Sequence, residues 1–141
     1  MVVLDTDHAS ELGFRSRVGL RLLERLSASG EDAVITAITV EEQMRAWLAQ
    51  IHRELDPAKQ TTAYGRLVRQ VEFLASWVIL SWDAAAVEIF QRLQRERVRI
   101  GTQDLKIASI TVAHGAKLLT RNTQDFARVP GLSIRELVGL R

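Results

Sequence analysis

A chain of 141 residues, 47% hydrophobic and 26% charged, has the size and composition of one folded domain with a substantial core. Its net charge of +2 is too small for a general nucleic-acid binder, although the isoelectric point is about 9.5. With no cysteine, disulfides, thiolate metal sites and cysteine nucleophiles are excluded, and no apolar run of about 18 residues is present to span a membrane.

The N-terminus runs directly into Val2-Val3-Leu4-Asp5, without a basic segment or cleavage site, so no secretory signal and a cytoplasmic location are expected. Val2, Val3 and Leu4 read as a buried strand that stops at an acid, followed by Thr6 and Asp7. Residues 18–27 carry a helical apolar stripe at Val18, Leu22, Leu23 and Leu26, ending before Gly30. Residues 33–38 read as a second strand. Residues 41–55 form a helix with Met44, Trp47, Leu48 and Ile51 on one face, and Asp56-Pro57 breaks it.

A further helix is expected over 61–77, with Tyr64, Leu67, Val68, Val71 and Leu74 in register. Residues 78–80 are a third strand. Asp83 is placed to cap a helix over 84–97. A helix over 103–114 follows Gly101-Thr102 and ends at Gly115, residues 117–120 are a fourth strand, and 132–135 are a fifth after the turn Pro130-Gly131. Strands separated by helices predict an α/β fold with a central, mainly parallel sheet of four to five strands, in one domain spanning 1–141.

Acids recur at strand ends and helix starts: Asp5, Glu42, Asp104 and Asp125, with Asn122 beside the last. Each has a purely structural explanation. Asp5 or Asp7 could cap a short helix, Thr39 and Glu42 match a capping box, Thr102 or Asp104 could cap the following helix, and Asn122 and Asp125 fit turn chemistry. Together they read differently. Carboxylates converging in one crevice repel unless protonated or neutralised by cations, and an oxygen-only donor set without cysteine suits Mg2+ or Mn2+. His52 and His114 read as helix-surface or capping residues, and His8, near Asp5, stays open between core and site. Arginines cluster at Arg15, Arg17, Arg21 and Arg25 and again at Arg92, Arg95, Arg97 and Arg99, as a solvated helix face or as phosphate contacts.

Four segments in order carry a family resemblance: Val3-Leu4-Asp5-Thr6-Asp7, Ile38-Thr39-Val40-Glu41-Glu42, Arg99-Ile100-Gly101-Thr102-Gln103-Asp104-Leu105-Lys106-Ile107-Ala108, and Leu119-Thr120-Arg121-Asn122-Thr123-Gln124-Asp125-Phe126. Spread over nearly the whole chain, they resemble PIN-domain toxins of the VapC type. The resemblance implies a three-layer PIN-like fold, Mg2+-dependent endoribonuclease activity leaving 5′-phosphate and 3′-hydroxyl ends, homodimerisation, and inhibition by a small cognate VapB-like antitoxin. Asp5, Glu42 and Asp104 match the family's acidic positions; Glu42 fits better than Glu41 because the acid stands three residues after the threonine. Asp7 stands where asparagine is common. The last acidic position is split between Asn122 and Asp125: Asp125 is taken as the fourth carboxylate and Asn122 as a ligand or substrate-orienting group. Thr6 is expected to orient a ligand water, and Arg99, Lys106 and Arg121 to grip flanking phosphates. Two alternatives remain: a non-catalytic PIN-fold interaction module, and an Asp-x-Asp phosphohydrolase using Asp5 as a covalent nucleophile.

Overall fold

The structure is a computed structural model that describes residues 1–136; positions 137–141 of the expected domain lie outside the described residues. Five short strands, β1 (Val2–Leu4), β2 (Ala33–Thr36), β3 (Ile79–Leu80), β4 (Lys117–Leu119) and β5 (Ser133–Arg135), form one parallel sheet in the order β3-β2-β1-β4-β5. The expected α/β class and parallel sheet are borne out. The order reverses between β1 and β4, and in open α/β sheets ligands bind outside the carboxyl ends of the strands at such a reversal.

Seven helices connect the strands: α1 (Thr6–Phe14), α2 (Arg17–Ser29), α3 (Ala37–Arg53), α4 (Pro57–Ala75), α5 (Ala84–Arg95), α6 (Thr102–Ala113) and the single turn α7 (Thr123–Phe126). The period-two alternation of strand side chains divides the core in two. Val3, Val34 and Leu118 point to one face, where they meet Leu93 of α5 and Leu105, Ile107 and Ile110 of α6. Val2, Leu4, Ile35 and Leu119 point to the other, against Leu12 of α1, Leu22 and Leu26 of α2, and Leu74 of α4. Helices therefore cover both faces, which is why the central strands are continuous apolar runs.

Several element boundaries differ from the sequence expectation for identifiable reasons. The second strand ends at Thr36, whose side chain accepts the Thr39 amide and starts α3 at Ala37 rather than at 41. Helix α4 begins at Pro57, capped by Asp56, because proline suits the first helical position, where no amide donor is needed. Asp83 caps α5 as expected. Neither Thr102 nor Asp104 caps α6; Gly101 occupies that position without a side-chain bond. Helix α1 has no counterpart in the apolar pattern. It packs against α2 so closely that a Cβ on Gly19 would lie 2.0 Å from the Glu11 carbonyl oxygen.

Candidate metal centre at the carboxyl edge of the sheet

Asp5 is the first residue beyond β1, and it is a helix cap as well as a crevice residue. Its Oδ1 accepts the His8 backbone N–H at 2.9 Å, and it is 8% exposed at the point where the strand order reverses. Thr6 opens α1 and faces α3. Its hydroxyl donates to Glu42 Oε1 at 3.3 Å and stands 3.0 Å from the Thr39 hydroxyl. With the Thr6 proton committed to Glu42, the buried Thr39 hydroxyl is the donor to Thr6.

The expected capping box of Thr39 and Glu42 does not form, because Thr36 takes the cap. Both side chains are thereby released toward α1. The two neighbouring acids separate cleanly. Exposed Glu41 accepts from Arg45 Nη2 at 2.7 Å and from Gln103 Nε2 at 2.9 Å, whereas half-buried Glu42 turns to Thr6.

Asp104 sits in the first turn of α6, half-buried and without a side-chain hydrogen bond among the described residues. Beyond β4, the buried Thr120 hydroxyl accepts the Asn122 amide at 3.0 Å. Asn122 caps α7: its Oδ1 accepts the Asp125 amide at 3.4 Å and its Nδ2 donates to Asp125 Oδ2 at 3.1 Å. Asn122 is thus engaged in holding Asp125, which is half-buried.

These acids lie near enough to feel one another's charge. Burial raises the Asp104 pKa, and the charges of Asp5, Asp125 and Asp7 raise it further. Burial also raises Glu42, reinforced by Asp104, Glu41 and Asp7, while the Thr6 hydrogen bond pulls it back. Neither Glu42 nor Asp104 has an ion-pair partner among the described residues. An all-oxygen donor set with uncompensated negative charge fits a hard divalent cation such as Mg2+ or Mn2+. Among the described residues, no three acidic or histidine side chains stand close enough to hold an ion as they are. Asp5, Glu42 and Asp125 each keep an internal donor on one carboxylate oxygen, namely the His8 amide, Thr6 and Asn122, which leaves the other oxygen for a cation.

His8 lies directly beneath Asp5. It is 1% exposed, its Nδ1 is 4.0 Å from Asp5 Oδ1, and neither ring nitrogen makes a hydrogen bond among the described residues. Burial lowers its pKa; Asp5 opposes that effect and the Arg121 charge adds to it. A buried polar group without a partner costs about 1–3 kcal/mol.

The residues expected at the substrate are dispersed. Thr6 is within the centre. Arg121 is exposed just beyond β4, close enough for His8 to feel its charge. Arg99 is exposed on the α5–α6 connection, where its carbonyl accepts from Arg128 Nη1 at 3.1 Å. Lys106 follows Asp104 by two positions, roughly 200° around the helix. Its ammonium lies 5.7 Å from the Trp82 ring centroid, away from the acids, and Trp82 meets Phe90 edge-on at 5.3 Å.

Sequence reasoning missed a polar ladder one helical turn from the centre. Gln43 Nε2 donates to Ser10 Oγ at 3.1 Å, and Gln70 Nε2 of α4 donates to Gln43 Oε1. Its signal was the repeat of polar residues at i and i+4 on both helices: Thr6 and Ser10 on α1, Thr39 and Gln43 on α3.

The family profile described as PIN domain matches residues 2–132. The chain belongs to the PIN domain family. Among PIN-related proteins, it is similar to Ribonuclease VapC1 of Rickettsia felis, with 44% identity over 69 residues, covering 45% of this chain and 52% of that protein. It is also similar to Ribonuclease VapC of Rickettsia bellii, with 32% identity over 85 residues, covering 57% and 63%. The matched regions thus span between about half and two thirds of these relatives' length. Among solved structures, DNA-bound VapBC from Salmonella typhimurium aligns with a TM-score of 0.70 at 22% identity, covering 96% of each chain. A toxin–antitoxin complex from Klebsiella pneumoniae aligns with a TM-score of 0.68 at 24% identity, covering 97% of this chain and 100% of that one. At these identities the structural likeness establishes the PIN fold.

Proposed function

We propose that this PIN-domain protein is a Mg2+-dependent endoribonuclease of the VapC type, with Mn2+ able to replace Mg2+, that hydrolyses RNA phosphodiester bonds and is restrained by a cognate VapB-like antitoxin. The observation that carries this reading is that Asp5 and Asp125 follow the two strands at the reversal of strand order, while Asp104 and Glu42 are raised first by burial and then by the charge of neighbouring acids, Asp5 and Asp125 acting on Asp104 and Asp104 on Glu42. The names of the two Rickettsia relatives point to RNA as the substrate.

A bound divalent cation supplies activation of a water and neutralises charge on the scissile phosphate. The chain's residues do the holding and orienting. Asp5 keeps Oδ1 on the α1 cap, leaving its other oxygen for a cation. Thr6 orients Glu42. Asp104, free of capping, and Asp125, held by Asn122, would supply the remaining carboxylates. Arg121 at the rim takes a flanking phosphate, and Arg99 a more distant one; Lys106, held over Trp82, reaches only RNA that passes along α6.

The antitoxin belongs to the same proposal. An apolar groove of about 810 Å3 between α1, α2 and α4 is lined by Leu20, Leu23, Phe73 and Trp77, with Arg69 and Glu72 also lining it, and could seat an amphipathic segment. The exposed Tyr64, Val68 and Val71 of α4 leave a second apolar face, consistent with a homodimer.

The test is RNA cleavage by purified protein with Mg2+. Products with 5′-phosphate ends, loss of cleavage in EDTA, and loss in Asp5→Asn support the reading. Cleavage that survives EDTA, or full activity in Asp5→Asn, contradicts it. A complex with antitoxin that cleaves as fast as the free chain contradicts the inhibition part alone.

A further inference from the structure

Among the described residues, the His8 imidazole is a buried polar group that packing alone does not explain. It is 1% exposed, both ring nitrogens lack a hydrogen-bond partner among the described residues, and Asp5 Oδ1 lies 4.0 Å from Nδ1. A neutral imidazole carries one N–H donor and one acceptor, and buried polar groups are bonded in the great majority of native structures. An orphan of this kind calls for an explanation, and a role in function is one. The backbone N–H of the same residue already donates to the same Asp5 oxygen at 2.9 Å. Residue 8 therefore approaches Oδ1 twice, once with its amide and once with its ring.

We propose that His8 is a positioning residue for Asp5: its Nδ1–H closes onto Asp5 Oδ1 when the carboxylate takes up a divalent cation, holding that oxygen inside the protein and presenting the other to the crevice. This rests on the reading of Asp5 as a metal ligand. Closing from 4.0 Å to an ordinary N–H···O distance of about 2.9 Å needs a shift of roughly 1 Å. With two donors on one oxygen, the carboxylate can neither rotate freely nor turn both oxygens to the crevice. Partners behind a ligating carboxylate commonly change metal affinity about 10–100-fold.

The experiment is calorimetric titration of Mn2+ into the full chain without RNA, with thermal midpoints recorded on the same samples. His8→Phe keeps a ring but loses the donor; His8→Asn places an amide N–H near the Nδ1 position. The expected result is a loss of Mn2+ affinity of about 10–100-fold in His8→Phe, with no fall in its metal-free thermal midpoint, and near-wild-type affinity in His8→Asn. Wild-type affinity in His8→Phe overturns the proposal, as does equal loss of affinity and stability in both variants, which marks a packing role. A wild-type chain that binds no Mn2+ overturns the metal-centre reading itself.

Discussion

The Thr6 hydroxyl donates to Glu42 Oε1 at 3.3 Å and so joins the first turn of α1 to the first turns of α3. The bond matters because Glu42 is held above its ordinary pKa, chiefly by burial and then by Asp104, and Thr6 is the group that favours its charged form. Behind Thr6, the buried Thr39 hydroxyl fixes which way the Thr6 proton points.

Replacing Thr6 by Val removes that donor and lets Glu42 rise further. Metal binding releases protons from its ligands and so depends on pH. Thr6→Val is expected to weaken Mn2+ binding about 10–100-fold at neutral pH, with partial recovery as the pH rises, while Thr6→Ser retains affinity. Calorimetric titrations at about pH 6 and pH 8 check this; equal affinity for Thr6→Val and wild type would remove Thr6 from the centre.

Asp104 is expected to cost the metal-free protein stability, because it is a half-buried carboxylate facing Asp5, Asp125 and Asp7 without a hydrogen bond. Asp104→Asn should raise the metal-free thermal midpoint while lowering RNA cleavage at least about 100-fold, the pattern expected where function is kept at the expense of stability. A thermal scan and a cleavage assay on the same sample decide it. A fall in the midpoint together with intact cleavage would assign Asp104 a structural role only.

Glu42 and Asp104 both bind protons more tightly in the folded chain than when exposed. Their contribution to metal-free stability is full below the ordinary carboxylate range, about pH 4, and is lost as pH rises through their raised folded values. The metal-free thermal midpoint should therefore carry a downward component over that window, smaller in Asp104→Asn and offset by Mg2+. Scans from about pH 4 to pH 8 with and without Mg2+ measure it; an identical pH slope in Asp104→Asn contradicts the assignment.

Much of this arrangement was legible in the residues, and the part that was not has a physical reason. Val2–Leu4 and Leu118-Leu119 announce themselves as apolar runs because both faces of the sheet are covered. The acids were visible through their positions at strand ends and helix starts. The start of α3 was not: Ala37 and Ile38 extend an apolar run, and only the Thr36 side chain, bonding the Thr39 amide, turns the chain there. That one cap decides whether Thr39 serves the helix end or Thr6, which pattern alone left open. The Tyr64, Val68 and Val71 stripe of α4 reads as an apolar face by periodicity and lies 52%, 56% and 48% exposed, because periodicity marks such a face without saying what covers it. His8 was undecided for a similar reason: sequence places it near Asp5, and only the fold shows it buried and without a partner.

The close packing of α1 on α2 predicts a stability effect remote from the acids. A Cβ at Gly19 would meet backbone, the Glu11 carbonyl oxygen at 2.0 Å, which cannot step aside as a side chain could. Gly19→Ala is expected to destabilise by about 1–3 kcal/mol despite the better helix propensity of alanine. Denaturant unfolding measures this; unchanged or increased stability would show that the helix pair is more loosely joined.

The central claim is that a divalent cation held by Asp5, Glu42, Asp104 and Asp125 makes this chain an endoribonuclease. Sequencing the ends of a defined RNA after incubation with wild-type protein, with Mg2+ or with EDTA, and with Asp104→Asn in Mg2+, tests it most directly. The account predicts discrete internal cuts with 5′-phosphate ends in the wild-type Mg2+ reaction alone. The same cuts in EDTA or with Asp104→Asn, or no cuts by wild-type protein in Mg2+, would contradict it.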